Sequence, residues 1–444
     1  MATACLFDPL HILIVGAGTG GLACALACRQ AKPPIRVTLL ERASELLPIG
    51  AGIQIPPNAA RIMDSFGLSE KLVQAGGIIM DAHVLRRYAN GSVLVDKSWV
   101  PQMRDQYGAD WLAEYQLMLV DEVKRAGVDM RMGAEVIKVN IDSNEPSVVL
   151  KDGSILFADV VVGADGLWST TRNYVLELPV TPRETGDLAY RGTFSAQQLA
   201  SLKDERISEL LSSSSVQVWM GPQKHVVFYP VRSHTEFNLV LLCPDTVPKG
   251  KRTAEGNLKE MEELFEGWDP ILRKLISGLK TALKWKLHHV PRQETWTKGA
   301  SVLIGDASHP TLPYQAQGAA MAIEDGAVLG LLLSHLDAHR QANRGDKHAQ
   351  VASILRLFER LRKQRTEINV AGAVEKQDFY HLPDGDLQVE RDQVLSDIAQ
   401  TDFKAQCKWS WGDKSYNDEL LGFDVLHDAE EGFKAWIEHE CPMA

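Results

Sequence analysis

Residues 11–41 carry the pattern that most constrains how this chain can fold. A short apolar run at 12–15 leads into Gly16-Ala17-Gly18-Thr19-Gly20-Gly21, which is followed by an apolar helical stretch over 20–31 and a second apolar run at 37–41. Glycines here permit a tight turn, close approach of phosphate to the backbone, and packing of the helix on the strand. The second run ends on Glu41, twenty residues past Gly21, the spacing at which a carboxylate meets a ribose hydroxyl. The pattern predicts a dinucleotide-binding β-α-β unit.

Two further glycine-and-aspartate patches follow apolar runs later in the chain. Gly163-Ala164-Asp165-Gly166 comes after the run at 160–162. Gly305-Asp306 comes after the run at 302–304 and continues toward His309-Pro310. Ligands of a doubly wound sheet bind outside the carboxyl ends of its parallel strands. The three patches therefore predict three strand ends arranged around one large cofactor.

Charge and hydropathy exclude several classes of partner. A net charge of -11 disfavours nucleic acid and anionic membranes as main partners. The most apolar region, at 319–333, is interrupted by Glu324 and Asp325, so no membrane span is predicted. The first residues lack the basic segment of a signal peptide, and the apolar run at 12–15 is interpreted as a strand.

Cysteine usage predicts a reducing, cytoplasmic setting. The six cysteines include no C-x-x-C pair and are too sparse for a disulfide framework. Cys24 and Cys28 share one helix face, as two metal ligands would, but they lie among alanines and leucines. We interpret both as small core residues and predict no metal site.

The order of apolar runs and turns predicts an α/β fold with four segments. Residues 1–174 form the first part of a doubly wound, Rossmann-like domain, and hairpin insertions are marked by Asn90-Gly91 and Asp152-Gly153. Residues 175–298 form an inserted β-sheet domain with β-rich runs at 215–220, 225–231 and 237–242. Residues 299–375 return to the first domain, and residues 376–444 form a C-terminal helical tail.

In this order, the patches and the inserted sheet resemble the single-component flavoprotein aromatic monooxygenases, the group that includes salicylate and para-hydroxybenzoate hydroxylases. The resemblance covers nearly the whole chain. It implies that the first glycine loop and Glu41 hold the ADP half of FAD, and that Asp165-Gly166 lies near the pyrophosphate. It also implies that Asp306 contacts the ribityl chain. The implied FAD-binding residues are Gly16, Gly18, Gly21, Glu41, Arg42, Gly52, Ile53, Asp165, Gly166, Gly305, Asp306, Pro313, Gly318 and Ala319.

Three residues of the inserted sheet are candidate catalytic residues. Tyr190-Arg191-Gly192 resembles a segment that brings an arginine over the substrate in salicylate-type relatives, where Arg191 can bind a phenolate or carboxylate. His225 and Tyr229 lie four residues apart, so both side chains project from the same face of a strand. His225 can accept a phenol proton, and Tyr229 can hydrogen-bond a substrate oxygen. The structural alternatives are an interdomain ion pair for Arg191 and core packing for the other two residues.

The resemblance implies an FAD-dependent monooxygenase that consumes NADH or NADPH and O2 and hydroxylates a small phenolic or aromatic substrate through a flavin C4a-hydroperoxide. The alternatives are a flavin epoxidase or another oxygenase of an alkene or heterocycle, and a non-catalytic, protein-binding member of the fold. A homodimer and a monomer are both compatible with the sequence. Two places depart from the family pattern. Leu112 stands where relatives commonly carry an arginine that contacts the flavin, and Ala320-Met321 stands where an Asn-Gln pair is common.

Overall fold

The computed structural model describes residues 9–46, 52–98, 102–114, 117–141, 145–343, 345–401, 403 and 406–441. In chain order, the strands are β1 (His11–Val15), β2 (Arg36–Leu40), β3 (Ile53–Ile55), β4 (Ile78–Ile79), β5 (Ala82–Arg87), β6 (Val93–Ser98), β7 (Leu112–Glu114), β8 (Asp129–Arg131), β9 (Val136–Asn140), β10 (Ser147–Leu150), β11 (Ile155–Phe157), β12 (Val160–Gly163), β13 (Arg183–Ser195), β14 (Ser215–Gly221), β15 (Lys224–Val231), β16 (Glu236–Pro244), β17 (Thr253–Glu255), β18 (Leu283–His289), β19 (Thr297–Lys298) and β20 (Ser301–Leu303).

The helices connect these strands and then form the C-terminal part of the molecule. They are α1 (Thr19–Gln30), α2 (Pro57–Ser65), α3 (Ser69–Gln74), α4 (Gln102–Tyr107), α5 (Leu117–Arg125), α6 (Thr170–Val175), α7 (Ala196–Ala200), α8 (Glu205–Ser212), α9 (Leu258–Leu264), α10 (Pro270–Ser277), α11 (Gly318–Ala342), α12 (Lys347–His381), α13 (Asp386–Gln400), α14 (Lys414–Gly422) and α15 (Val425–His439). Short 3₁₀ turns lie at Gly305–Ala307, Pro313–Gln315 and Ser410–Gly412.

The predicted doubly wound sheet is confirmed. Its strand order is β19-β20-β12-β1-β2-β8, and β1 pairs in parallel with both β12 and β2. β20 pairs in parallel with β12, so β1, β12 and β20 are adjacent. The three glycine-and-aspartate patches follow these three strands and therefore lie side by side at one edge of the sheet.

Helix α11 packs on α1 through small residues. A Cβ added to Gly326 would lie 2.4 Å from the carbonyl oxygen of Gly20, and one added to Gly330 would lie 2.4 Å from Cβ of Ala27. Cys24 and Cys28 are fully buried on α1, as expected for small core residues. Helix α11 is long and apolar enough to cross a membrane by composition, but 78% of its most apolar window is buried inside this protein. We interpret α11 as a core helix.

The second large sheet contains strands from two parts of the chain. Its order is β17-β18-β13-β16-β15-β14-β5-β6, and β5 pairs in parallel with β14. The hairpin predicted around Asn90-Gly91 is therefore part of this second sheet, although it precedes residue 175 in sequence. One face of the sheet packs on α9 and α10 through a core that includes Tyr190, Leu241 and Leu275. The predicted domain limits stay predictions.

The C-terminal helices pack back onto both sheets. Helix α12 begins where the Asp346 side chain accepts hydrogen bonds from the backbone N–H groups of His348 and Ala349. Trp411, in the last 3₁₀ turn, stacks on Phe379 of α12 with their ring centroids 6.4 Å apart. Helix α15 contributes Phe433 and Trp436 to the core of the first domain. The tail is thus part of the folded body of the protein.

Candidate active site

The first glycine loop turns tightly between β1 and α1. Gly16 has a φ of +109°, and a Cβ there would lie 2.3 Å from the carbonyl oxygen of Ala164 in the second patch. A Cβ on Gly21 would lie 2.1 Å from the carbonyl oxygen of Gly16. Any larger residue at either position would separate strand from helix. The glycines therefore place the amino terminus of α1 at the carboxyl edge of the sheet, where backbone N–H groups can bind phosphate.

Glu41 supports this loop directly. Its Oε2 accepts a hydrogen bond from the backbone N–H of Ala17 at 3.0 Å, and its Oε1 accepts one from Ala43 at 2.9 Å. The neighbouring Arg42 is exposed. The carboxylate is held beside the glycine loop, while its predicted bond to a ribose hydroxyl stays a prediction.

Asp165 organises the second patch by capping α6. Its Oδ2 accepts hydrogen bonds from the backbone N–H groups of Thr170 at 2.8 Å and Thr171 at 2.9 Å. The buried guanidinium of Arg172, on the same helix, donates to the carbonyl oxygens of Leu167 and Ala307 and thereby joins the second patch to the third. Gly166, with a φ of +74°, completes the turn. Asp165 thus shapes the loop through hydrogen bonds to α6. The family resemblance implied only that it lies near the pyrophosphate.

The third patch exposes Asp306 to a large chamber. Gly305 has a φ of +58°, and its backbone N–H donates to Oδ2 of Asp325 at 2.8 Å. Surrounding protein raises the pKa of Asp306 through burial, and the charges of His309 and Arg172 oppose this shift. The Asp306 side chain nevertheless remains open to the chamber. Its oxygens are available to a polar ligand there.

A buried ionic cluster lies directly behind the third patch. It consists of Glu324 and Asp325 of α11 with Arg362 and Arg365 of α12, and all four side chains are at most 5% exposed. Arg365 donates to both oxygens of Glu324 at 2.8 Å, and Arg362 donates to Oδ1 of Asp325 at 2.8 Å. Burial opposes ionisation of Glu324, but the arginine charges outweigh it and hold its pKa at about 2.

The cluster extends to two neighbouring segments, the start of α2 and the third patch. Nδ2 of Asn58, at the start of α2, donates to Glu324 at 2.6 Å. Nε2 of His309 and Oδ2 of Asp325 are 2.6 Å apart. Because Asp325 also accepts from Gly305, the cluster fixes the loop that carries Asp306. In the sequence, Glu324 and Asp325 appeared only as interruptions of an apolar run.

The three patches and the second sheet enclose the chamber together. Its wall includes the amino terminus of α11, whose N–H groups present positive potential. The predicted FAD-binding residues that line it are Gly18, Gly52, Ile53, Gly166, Gly305, Asp306, Pro313, Gly318 and Ala319. Among the described residues, the other predicted ones support the loops from behind or lie outside the lining: Gly16, Gly21, Glu41, Arg42 and Asp165.

Arg191 and Tyr229 line the chamber from the second sheet. Arg191 is half-buried on β13, and its Nε has no hydrogen-bond partner among the described residues. The Tyr229 hydroxyl donates to the carbonyl oxygen of Gly52 at 2.5 Å and accepts from Nδ2 of Asn238 at 2.6 Å. Burial raises the pKa of Tyr229, and the charge of Arg191 opposes this shift. Tyr229 therefore anchors the Gly52 loop, while Arg191 is available to a ligand.

A second, largely apolar cavity adjoins the chamber. Gln54, Val227, Pro313 and Ala316 line both spaces. Strands β14 and β15 form one wall of the cavity, and the C-terminal segment forms another with Tyr380 and Trp411 among other residues. The chamber and the cavity are thus neighbouring spaces that meet at Pro313.

His225 lines this cavity on the same face of β15 as Val227. It is 1% exposed, and its Nδ1 is 2.8 Å from Nε2 of His381. Burial, and then the neighbouring His381, lower the pKa of His225 well below its ordinary value, so the ring is neutral at neutral pH. The sequence did not indicate His381, because it lies 156 residues away at the end of α12.

A protein-family model described as an FAD binding domain matches residues 10–347. The chain belongs to this FAD-binding family. The flavoprotein is 38% identical over 432 residues to the FAD-dependent monooxygenase OpS4 of Beauveria bassiana (strain ARSEF 2860). The matched region covers 95% of this chain and 97% of that protein. It is 30% identical over 413 residues to the 3-hydroxybenzoate 6-hydroxylase of Klebsiella oxytoca, covering 92% of this chain and 98% of that enzyme. The flavoprotein is an FAD-dependent monooxygenase, and the resemblance found in its sequence is confirmed.

Solved structures show the same fold. A salicylate hydroxylase substrate complex matches with a TM-score of 0.76 at 21% identity, covering 96% of this chain and 98% of that one. The HpxO protein of Klebsiella pneumoniae, complexed with FAD and uric acid, matches with a TM-score of 0.73 at 24% identity, covering 88% and 94%. At these identities the likeness concerns the fold alone.

The chamber fits FAD by its shape and its donors. Glycine backbone from five separate segments lines it, which leaves room for a long ligand close to the main chain. Two helix amino termini, those of α1 and α11, contribute to its wall. Thr311, also on this wall, has a hydroxyl oxygen without a hydrogen-bond partner among the described residues. Leu112, by contrast, is 4% exposed in the core and lies outside the described lining.

We expect Glu324→Gln to destabilise the protein by about 3–5 kcal/mol, because it leaves buried guanidinium charge without compensation. The Glu324 pKa falls from an ordinary value of 4.5 to about 2, so its contribution is complete above pH 4.5 and is lost as pH falls toward 2. Urea unfolding between pH 7 and pH 2.5 measures both effects, and the variant should lose stability less steeply with acid.

Glu367→Gln is the matched control, since this residue of α12 pairs with Arg292 at the surface. It should cost less than about 1 kcal/mol. Equal losses in the two variants would contradict the central role of the buried cluster.

Proposed function

We propose that the monooxygenase hydroxylates a small phenolic acid whose ring lies in the apolar cavity beside Pro313, with Arg191 on the wall of the adjoining chamber. The observation that carries this proposal is the meeting of the two spaces at Pro313, where a glycine-lined chamber adjoins an apolar cavity. A long polar cofactor and a small aromatic ring suit these two environments respectively. The named relative that hydroxylates 3-hydroxybenzoate supports a phenolic acid as the substrate class.

When bound, the flavin would take a hydride from NADH or NADPH and activate O2 so that one oxygen atom is transferred to the ring. The chain's own groups would hold the cofactor and exclude water. Asp306 would accept hydrogen bonds from the ribityl hydroxyls, and the amino terminus of α11 would stabilise negative charge on the reduced ring. Apolar side chains such as Val227 keep water away from the reacting atoms.

Arg191 and His225 would act on the substrate from different sides. Arg191 contributes a permanent positive charge to the chamber, where a phenolate or carboxylate oxygen would supply the missing partner of its guanidinium. His225 is neutral, and if its Nδ1–H donates to His381, then its Nε2 is an acceptor for the phenol proton. Removing that proton raises the nucleophilicity of the ring. Tyr229 would act as a positioning residue that holds the Gly52 loop.

The remaining partner assignments belong to the same proposal. O2 and a small aromatic acid are the expected reactants. Whether the monooxygenase forms a homodimer or stays a monomer is tested by light scattering. A cytoplasmic location is the expectation that follows from its cysteine usage.

The direct test is to follow NADH and NADPH oxidation by the flavin-loaded protein with phenolic acids, phenols and alkenes, while quantifying hydrogen peroxide and product. We expect phenolic acids to stimulate oxidation and to yield hydroxylated product. Stimulation by alkenes with an epoxide product, and none by any phenol, would overturn the proposal in favour of an epoxidase.

Arg191→Ala should lower substrate-stimulated oxidation by about tenfold or more, because a charge-assisted contact to the substrate is lost. Bound flavin, measured by its visible absorbance after purification, should not change. The matched control is Arg183→Ala, which removes an exposed arginine at the start of the same strand. Equal loss of flavin and of activity in Arg191→Ala would show that the residue supports the fold instead.

His225→Gln should lower the rate of hydroxylation by about 100-fold, the usual contribution of a positioned general base. Its effect should shrink as pH rises toward the pKa of the phenol, because the substrate then ionises without help. His234→Gln, at the turn after β15, serves as the control. A pH-independent loss would contradict a role in proton transfer.

A further inference from the structure

A lysine is buried where the C-terminal segment closes the cavity. Lys376 lies on α12, is 5% exposed, and lines the cavity beside Tyr380 and Trp411. Its ammonium group carries three donors, and the hydrogen bond it forms is a long one, to Oγ of Ser410 at 3.3 Å. A charge in such a place is costly unless an opposite charge compensates it.

The neighbouring groups compensate this charge poorly. The carboxylate of the adjacent Glu375 is already hydrogen-bonded to Ser410, because it accepts from the backbone N–H at 3.2 Å and from the hydroxyl. Burial lowers the pKa of Lys376 to about 7, against the opposing influence of Glu375 and Cys407. Across the cavity, His83 carries no positive charge at neutral pH, since burial and then Lys376 lower its pKa to about 3. Among the described residues, none supplies an anion that pairs directly with Lys376.

Three other polar residues on the cavity wall are already hydrogen-bonded to protein. Oε1 of Gln315 accepts from the Tyr416 hydroxyl at 2.9 Å, and Oε1 of Gln54 accepts from Nε1 of Trp111 at 3.1 Å. Nδ2 of Asn417 donates to backbone carbonyl oxygens of the tail, including that of Asp413 at 2.8 Å. Within the described lining of the cavity, Lys376 is the one lysine or arginine.

We propose that Lys376 binds the carboxylate of an aromatic acid substrate and thereby selects acids over neutral phenols. This inference rests on the proposed function, because it assigns the substrate of the same site a second, charged contact on the wall that the tail supplies. The ring would lie among the apolar side chains of the cavity. The carboxylate would replace the water that the ammonium group lost on burial.

Binding of the acid would then be linked to a proton. A free-enzyme pKa of about 7 means that Lys376 is partly neutral at physiological pH and takes up a proton when the carboxylate binds. Affinity for an acid should therefore fall as pH rises above 7, by up to about tenfold for each pH unit. Affinity for the corresponding amide should not change with pH in this way.

The test compares hydroxybenzoates with the matching hydroxybenzamides by titrating the flavin-loaded protein and recording the change in flavin absorbance. The wild-type protein should bind at least one acid about tenfold or more tightly than its amide at pH 6.5. Lys376→Met should abolish this preference and its pH dependence while leaving amide binding unchanged. Lys376→Arg should restore the preference but not the pH dependence, because arginine does not titrate in this range.

Lys408→Met is the matched control, since Lys408 lies nearby over the ring of Trp409 and pairs with Glu390 at the surface. It should keep the preference for acids. The inference is overturned if no acid binds more tightly than its amide, if Lys376→Met keeps the preference, or if Lys408→Met loses it equally. These outcomes concern binding, so they are separate from failure of the proposed function, which would appear as binding without any hydroxylated product.

Discussion

The buried ionic cluster between α11 and α12 is the interaction on which the site depends. Glu324 and Asp325 occupy successive positions of a core helix, where burial disfavours their charges. Two arginines from the next helix compensate these charges. The same carboxylates bind Gly305 and Asn58, so the cluster connects the helical layer to two loops at the edge of the parallel sheet. A hydrophobic contact would not fix direction in this way.

Two sheets meet at the site and contribute to it in different ways. The parallel sheet brings three strand ends together, and its loops present backbone to the chamber. The second sheet presents side chains, with Arg191 at the chamber and His225 at the cavity. Helix α12 contributes to the support of the cofactor loops and to the surroundings of the cavity. Arg362 and Arg365 lie near its middle, and Lys376 and His381 lie near its end. One helix therefore couples support of the cofactor loops to the walls of the cavity.

The sequence predicted those parts of the protein that depend on local patterns. The glycine loop and the two later patches follow from backbone geometry within a few residues, and Glu41 follows from its spacing within one β-α-β unit. The structure brings all three patches to one sheet edge. Lys376 and His381 could not be found in this way, because a long helix displays charged residues at regular intervals whether or not they face a cavity. The pairing of β5 with β14 could not be predicted either, because the two strands are 133 residues apart and no local sequence pattern specifies which strand pairs with which.

The tail contributes to the cavity but, within the described residues, supplies nothing that lines the chamber. Residues beyond 376 thus shape what the ring would meet and leave untouched what the flavin would meet. The end of the chain affects the cavity separately from the chamber. A substitution in the tail can therefore change the lining of the cavity without changing any described residue that lines the chamber.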